Sequence, residues 1–216
     1  MILKSMSMTF IQTLGALVNE KAPGPSPSFS VFHLLLALEL IEEESIGRSR
    51  LSEELNVGEG VTRTLIGRLK DAGLILTSKT GCSLTDKGVK LWKQYGRIVR
   101  KVEIQKNELA LGDYNFAILV RNRGQKVKSG IEQRDAAVVG GAKGATTMLF
   151  RKGRLIFPST NSDVAKDFPK ASNQILVLLK LEDNDVVVIA SSDSPRKAEY
   201  GALAAAWTLL NDDRRP

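Results

Sequence analysis

The chain has 216 residues, 43% of them hydrophobic and 25% charged, with a net charge of +7 and a pI near 9.5. This is a globular composition, long enough for one large or two small domains, and its charge favours polyanionic partners. One cysteine, Cys82, and one histidine, His33, exclude an intramolecular disulfide and a Cys/His zinc site, and no apolar run reaches the length of a membrane span.

The first residues, MILKSMSMTF, lack the core and cleavage pattern of a signal peptide, so a cytoplasmic location is expected. Within residues 1–20, Phe10, Ile11, Leu14, Leu17 and Val18 lie near helical spacing and predict a short helix. Residues 21–28, KAPGPSPS, read as a connector. The helix packs either on the adjoining helical domain or on a second subunit, and its spacing fits both. Residues 29–44 predict a helix with Val31, Leu34, Leu35, Leu38 and Ile41 as its core stripe and Ser30 as its cap. Ile46-Gly47 then turns the chain. Leu51 and Leu55 share one face of a short helix, and Asn56, Gly58 and Gly60 supply turn chemistry. A second helix buries Thr62, Leu65, Ile66 and Leu69 and presents Gly60, Arg63, Thr64, Gly67 and Arg68 on the opposite face. Gly73 falls just past its end. Residues 74–77, 78–81 and 82–84 predict a small hairpin, and Thr85 caps a basic helix from Asp86 to about Ile104. His33 and Cys82 are expected as packed side chains.

This order of three helices, hairpin and helix resembles the winged helix-turn-helix of transcription regulators, on the phrases LSEEL, TLIGRLKDAGLI and LTDKG. The charge runs parallel to it. Residues 39–59 carry seven acids against Arg48 and Arg50, whereas residues 61–101 carry ten Lys/Arg against Asp71 and Asp86, a net of +8. A duplex-facing surface needs such asymmetry, because phosphate neutralisation supplies most non-specific affinity. Arg63 and Thr64, nearest the start of the second helix, are the expected base-edge contacts. Arg68 reaches a base or a phosphate. Arg48, Ser49, Arg50, Lys70, Lys79 and Thr80 are expected at the backbone or in the wing, with Ser49 open to a simple capping role.

Beyond the linker helix, residues 107–216 predict an α+β domain. A strand at 114–120 leads into a basic loop at 121–128. Ser129 and Glu132 form an S-x-x-E capping box opening a helix to about Val139. Strands come next at 146–150 and 155–157, then a polar loop at 158–172. A hairpin of 175–181 and 186–190 and a last helix from Ser194-Pro195 to about Leu210 complete it. The expected fold is therefore α+β: residues 1–28 as helix and connector, residues 29–106 as the winged helix with its linker helix, and residues 107–216 as a two-layer domain with a mixed sheet and two helices.

Residues 121–154 carry nine Lys/Arg against Glu132 and Asp135. A helix start at Ser129-Gly130 with Arg134 a turn inside, and Lys143 within GGAKGATT, could hold a phosphate or carboxylate. The Gly-rich run lacks P-loop spacing and comes after a helix, so its glycines read first as a helix stop. No catalytic set, metal or cofactor spacing appears, and an enzyme is not expected. A deep pocket holding Arg134 and Lys143 beside a carboxylate would favour an enzyme acting on an anionic metabolite. A third alternative is a protein-interaction module.

The phrases PSFSVFHLLLALELI, LSEELNVGEGVTRTLIGRLKDAGLI, GCSLTDKG, GIEQRDAA and GAKGATTMLF resemble an archaeal family of winged-helix transcription regulators whose C-terminal domain has no known function. The resemblance implies the fold and double-stranded DNA as partner. Together with the residues above, the expected protein is a homodimeric regulator with a small anionic effector and no membrane association.

Overall fold

The computed structural model describes residues 2–19 and 29–210, and the connector expected at residues 21–28 lies outside them. The chain divides into two compact units, Met1–Gly96 and Arg97–Pro216.

The first unit runs α1 (Ile2–Asn19), α2 (Val31–Glu43), α3 (Arg48–Leu55), α4 (Glu59–Asp71), an antiparallel hairpin of β1 (Ile75–Ser78) and β2 (Gly81–Leu84), and α5 (Asp86–Gly96). α2 is the hub. Leu34, Leu35, Leu36, Ala37, Leu38 and Ile41 are all buried, so its apolar surface wraps further round than a single stripe. Ser30 caps it, and His33 completes a reciprocal capping box by accepting from the Ser30 backbone N–H at 3.0 Å. α1 packs on α2 and α5 of its own unit, with Phe10 stacked on Tyr95 at 4.8 Å. α4 ends in a Schellman turn: Gly73, at φ +69°, lets its N–H reach the Lys70 carbonyl while the Leu74 N–H reaches that of Leu69.

Two local features seat the hairpin. Ile46 exchanges both backbone hydrogen bonds with Cys82, an isolated bridge that ties the segment before α3 to the hairpin. A side chain at Gly81 would press within 2.6 Å of the Ile46 carbonyl, so the position takes only glycine. Thr85 starts α5 by accepting from the Gly88 N–H at 3.0 Å.

α5 stops at Gly96, well short of Ile104. Val99–Glu103 is a strand, β3, which opens the second unit. β-Branched Val99 and Val102 pair with a neighbouring strand, and that tertiary partner outweighs the helical periodicity of the basic residues around them. The unit continues through β4 (Tyr114–Val120), α6 (Ile131–Val139), β5 (Gly144–Arg151), β6 (Arg154–Ile156), α7 (Val164–Asp167), α8 (Pro169–Leu178), β7 (Val186–Ser192) and α9 (Pro195–Leu210).

The sheet order is β3-β4-β7-β5-β6, and every neighbour pair is antiparallel, so the sheet is not mixed. β4 and β5 do run the same way, but β7 lies between them. Helices cover both faces. Ala117, Leu119, Met148, Val187 and Ile189 join Val164, Ile175 and Leu179 of the α7–α8 segment in one cluster. α9 crosses β4 and β7 with α6 beside it on the other face. The expected two layers are therefore three. Small residues permit the α6–α9 approach: a side chain at Gly201 would lie 3.0 Å from the Ala137 carbonyl of α6.

Composition predicts a strand at residues 175–181, but 169–178 are helical. The run ILVLL suits either state. What decides it is the start: Pro169 occupies the first turn, and the Glu108 carboxylate accepts from the Lys170 and Ala171 N–H groups at 3.2 and 2.8 Å. The helix then buries Ala171, Ser172 and Ile175 and leaves Val177 74% exposed. The capping box expected from Ser129 and Glu132 does not form. Gly130 in a left-handed conformation is the N-cap of α6, and no side chain caps the helix there.

Candidate functional site

The outward face of α4 is the first candidate surface. Gly60, Arg63, Thr64 and Lys70 are exposed, while Thr62, Leu65 and Leu69 are fully buried beneath them. Arg63 makes no hydrogen bond or ion pair among the described residues. The Thr64 hydroxyl donates to the Gly60 carbonyl at 3.1 Å. At Gly60 and Gly67 an added Cβ would meet nothing within 4 Å, so no internal packing demands a glycine at either place. Two bare glycines on one exposed face leave the helix backbone open to close approach from outside.

Arg68 departs from the sequence expectation. It is only 9% exposed, and its Nη1 donates to the Leu17 and Val18 carbonyls at 2.5 and 3.1 Å, capping the last turn of α1. Its guanidinium also lies over the Phe29 ring, 5.3 Å from the centroid. Arg68 therefore ties α1 to α4 and is not on the outward face.

Arg48, Ser49 and Arg50 open α3 and are exposed. Gly47, not Ser49, is the N-cap, which removes the capping role. Arg48 pairs with Glu59 at 3.1 Å, bringing the start of α3 to the start of α4, and Arg50 pairs with Glu44 at 2.6 Å. Such exposed pairs are worth about 0–1 kcal/mol and exchange readily for a phosphate. Lys79 and Thr80 form the exposed hairpin tip. There the Thr80 hydroxyl lies 2.7 Å from that of Ser78, and the Thr80 carbonyl accepts from Ser45 at 3.3 Å.

The second surface is a cleft of about 460 Å³ in the second unit, at the meeting of the starts of β4 and β5 with the end of β7. Arg134 and Lys143 both line it; Ser129 and Gly130 do not. Lys143 reaches Asp193 at 3.1 Å. That hydrogen bond holds the Asp193 carboxyl below its usual range, assisted by the Lys197 charge and the Ser192 hydroxyl. Arg134 pairs with its neighbour Asp135 at 3.1 Å. Gly144 is also among the lining residues, as are Asp113, Leu109, Leu111 and Ser191. Nothing in the sequence marks these residues, because they lie far apart along the chain. Among the described residues no group of three or more His, Cys, Asp or Glu could hold a metal, and no helix is long and apolar enough to cross a membrane.

Both surfaces fall within regions shared with known proteins. Residues 33–90 match the family model of the PH0730-like N-terminal domain. Residues 111–209 match a domain of unknown function, DUF4443. The solved structure of hypothetical protein PH0730 from Pyrococcus horikoshii OT3 matches with a TM-score of 0.70 at 29% identity, over 84% of this chain and 93% of that one. The chain resembles PH0730 across both units. The PH0730-like match spans α2 through the start of α5, so it contains α4 and the hairpin tip. The DUF4443 match runs from Leu111 into α9 and holds the whole cleft lining except Leu109. PH0730 thus supports an archaeal-like two-domain arrangement of helical unit and sheet-containing unit. No curated protein matches the chain.

Proposed function

We propose that the chain is a DNA-binding transcription regulator. On this reading the first unit is a winged helix. α4 enters the major groove of double-stranded DNA, and the β1–β2 hairpin is the wing. The observation that carries the reading is the face of α4: an unpaired Arg63, Thr64 and Lys70 set around glycines that nothing inside the molecule requires. A bidentate arginine suits a guanine edge, and missing side chains at Gly60 and Gly67 shorten the distance between helix and bases. The bridge from Ile46 to Cys82 and the exposed tip at Lys79-Thr80 support the wing. Arg48, Ser49, Arg50, Lys70, Lys79 and Thr80 then serve phosphates, while Arg68 serves only the fold. The second unit takes the role of dimerisation and of sensing a small effector that carries a negative charge, in a cytoplasmic homodimer. The cleft holding Arg134 and Lys143 beside Asp193 is the feature an enzyme would use. We read it as a binding site, because Asp193 is committed to Lys143 and the Ser191 hydroxyl to Asn115.

The test is binding to a fragment of the protein's own promoter against a scrambled fragment at two salt concentrations. Preference for the promoter that survives the higher salt is expected. Arg63→Ala should lose discrimination by about 1–3 kcal/mol, and Lys79→Ala should weaken all sequences alike and flatten the salt slope by about one. If both variants keep wild-type affinity and slope, the docking is wrong.

A further inference from the structure

The cleft of the second unit carries a charge pattern that a simple anion does not need. Arg134 and Lys143 face the same space as two carboxylates, Asp113 and Asp193, and the four charges cancel. A ligand that carries both charges therefore finds a better match there than a phosphate or bare carboxylate does. The remaining walls are largely apolar, with Leu109 and the strongly exposed Leu111 at one side. A volume of about 460 Å³ is within the usual range for small-molecule sites.

The floor is built before anything binds. Asn115 is 2% exposed; it donates to the Gly112 carbonyl at 2.9 Å and accepts from the Ser191 hydroxyl at 2.6 Å. A side chain at Gly112 would lie 2.7 Å from the Ser192 backbone, so the two segments are locked together. Gly144 differs. It stands in β5 with an ordinary backbone, and a Cβ there would meet nothing within 4 Å. The bare backbone at Gly144 leaves room there for another molecule to come close. Asp113 is exposed and has no partner among the described residues, whereas Arg134 holds only its sequence neighbour.

We propose that this cleft binds a free α-amino acid with an apolar side chain. The ammonium group meets the Asp113 carboxylate, the carboxylate meets Arg134, and the side chain lies against Leu109 and Leu111, while the Lys143–Asp193 pair stays intact. The proposal deepens the effector part of the regulator reading and rests on that part alone, because the binding is measured without DNA.

Isothermal titration of the full chain decides it, with L-leucine as probe. The controls are 4-methylpentanoate, which lacks the ammonium, and 3-methylbutylamine, which lacks the carboxylate. Saturable leucine binding is expected, with each control at least about tenfold weaker. Asp113→Asn and Arg134→Gln should each weaken leucine by a similar factor without changing the unliganded Tm. Equal binding of 4-methylpentanoate would overturn the proposal in favour of a plain anion site. Heats absent for leucine, methionine and phenylalanine alike, or variants that bind as wild type, would overturn it outright. A chain that binds leucine but no promoter DNA would sink the regulator reading and leave this one standing.

Discussion

Arg68 and Arg63 are five residues apart on one helix, yet they turn in opposite directions. Periodicity places Arg68 outside because a charged side chain is seldom buried. It cannot foresee the carbonyls of α1, which belong to a segment fifty residues away. Removing that side chain strips two charge-assisted hydrogen bonds and the Phe29 contact. Arg68→Ala is therefore expected to cost about 1.5–3 kcal/mol in urea unfolding, whereas Arg63→Ala leaves the midpoint unchanged. His33 makes the opposite kind of prediction. Burial lowers its pKa below 6.5, and the neutral ring accepts the Ser30 N–H. Between the lowered value and 6.5 the unfolded chain holds the proton and the folded chain does not. Stability is thus fully present above pH 6.5 and falls as the pH drops through that window. Melting curves across that range should show the loss in wild type and not in His33→Gln, which keeps a capping-box side chain but does not titrate.

The elements legible in sequence are those settled locally. α2 to α4 and the hairpin follow from apolar spacing, Asn56 and Gly73 at left-handed turns, and caps at Ser30 and Thr85. α8 and β3 escape a sequence reading because remote partners decide them: Glu108 caps one, and β4 zips the other into strand. Glycine placement yields an element-scale test of α4. Gly60→Ala and Gly67→Ala sit in helical backbone with open space, so each should stabilise the helix by about 0.5–1 kcal/mol. The same methyls would stand between helix and groove. The expected outcome is a higher urea midpoint together with weaker promoter binding. A gain in stability with unchanged binding would mean that α4 does not dock closely.

At the scale of the whole molecule, the order of elements is more legible than their pairing. The sequence points to strands at 114–120 and 146–150 within one mixed sheet, and both strands exist, but each makes its hydrogen bonds to a strand far later in the chain. The cleft is half visible for the same reason. Arg134 and Lys143 stand out in one basic stretch, whereas Asp113 and Asp193 reach them only through the closed sheet. The position of β7 at the centre of that sheet, flanked by β4 and β5, has a further consequence during synthesis. On the ribosome, β3–β4 and β5–β6 emerge as two separate hairpins with nothing to join them, since no bond links β4 to β5 directly. Only when residues 186–192 leave the exit tunnel does the sheet acquire its middle. Nascent chains arrested before Val186 should carry a protease-resistant first unit and a digestible second. Resistance of the second should then appear in one step once β7 and α9 have both cleared the tunnel on an extended tether, so the second unit depends most on chaperones in the interval before β7 emerges.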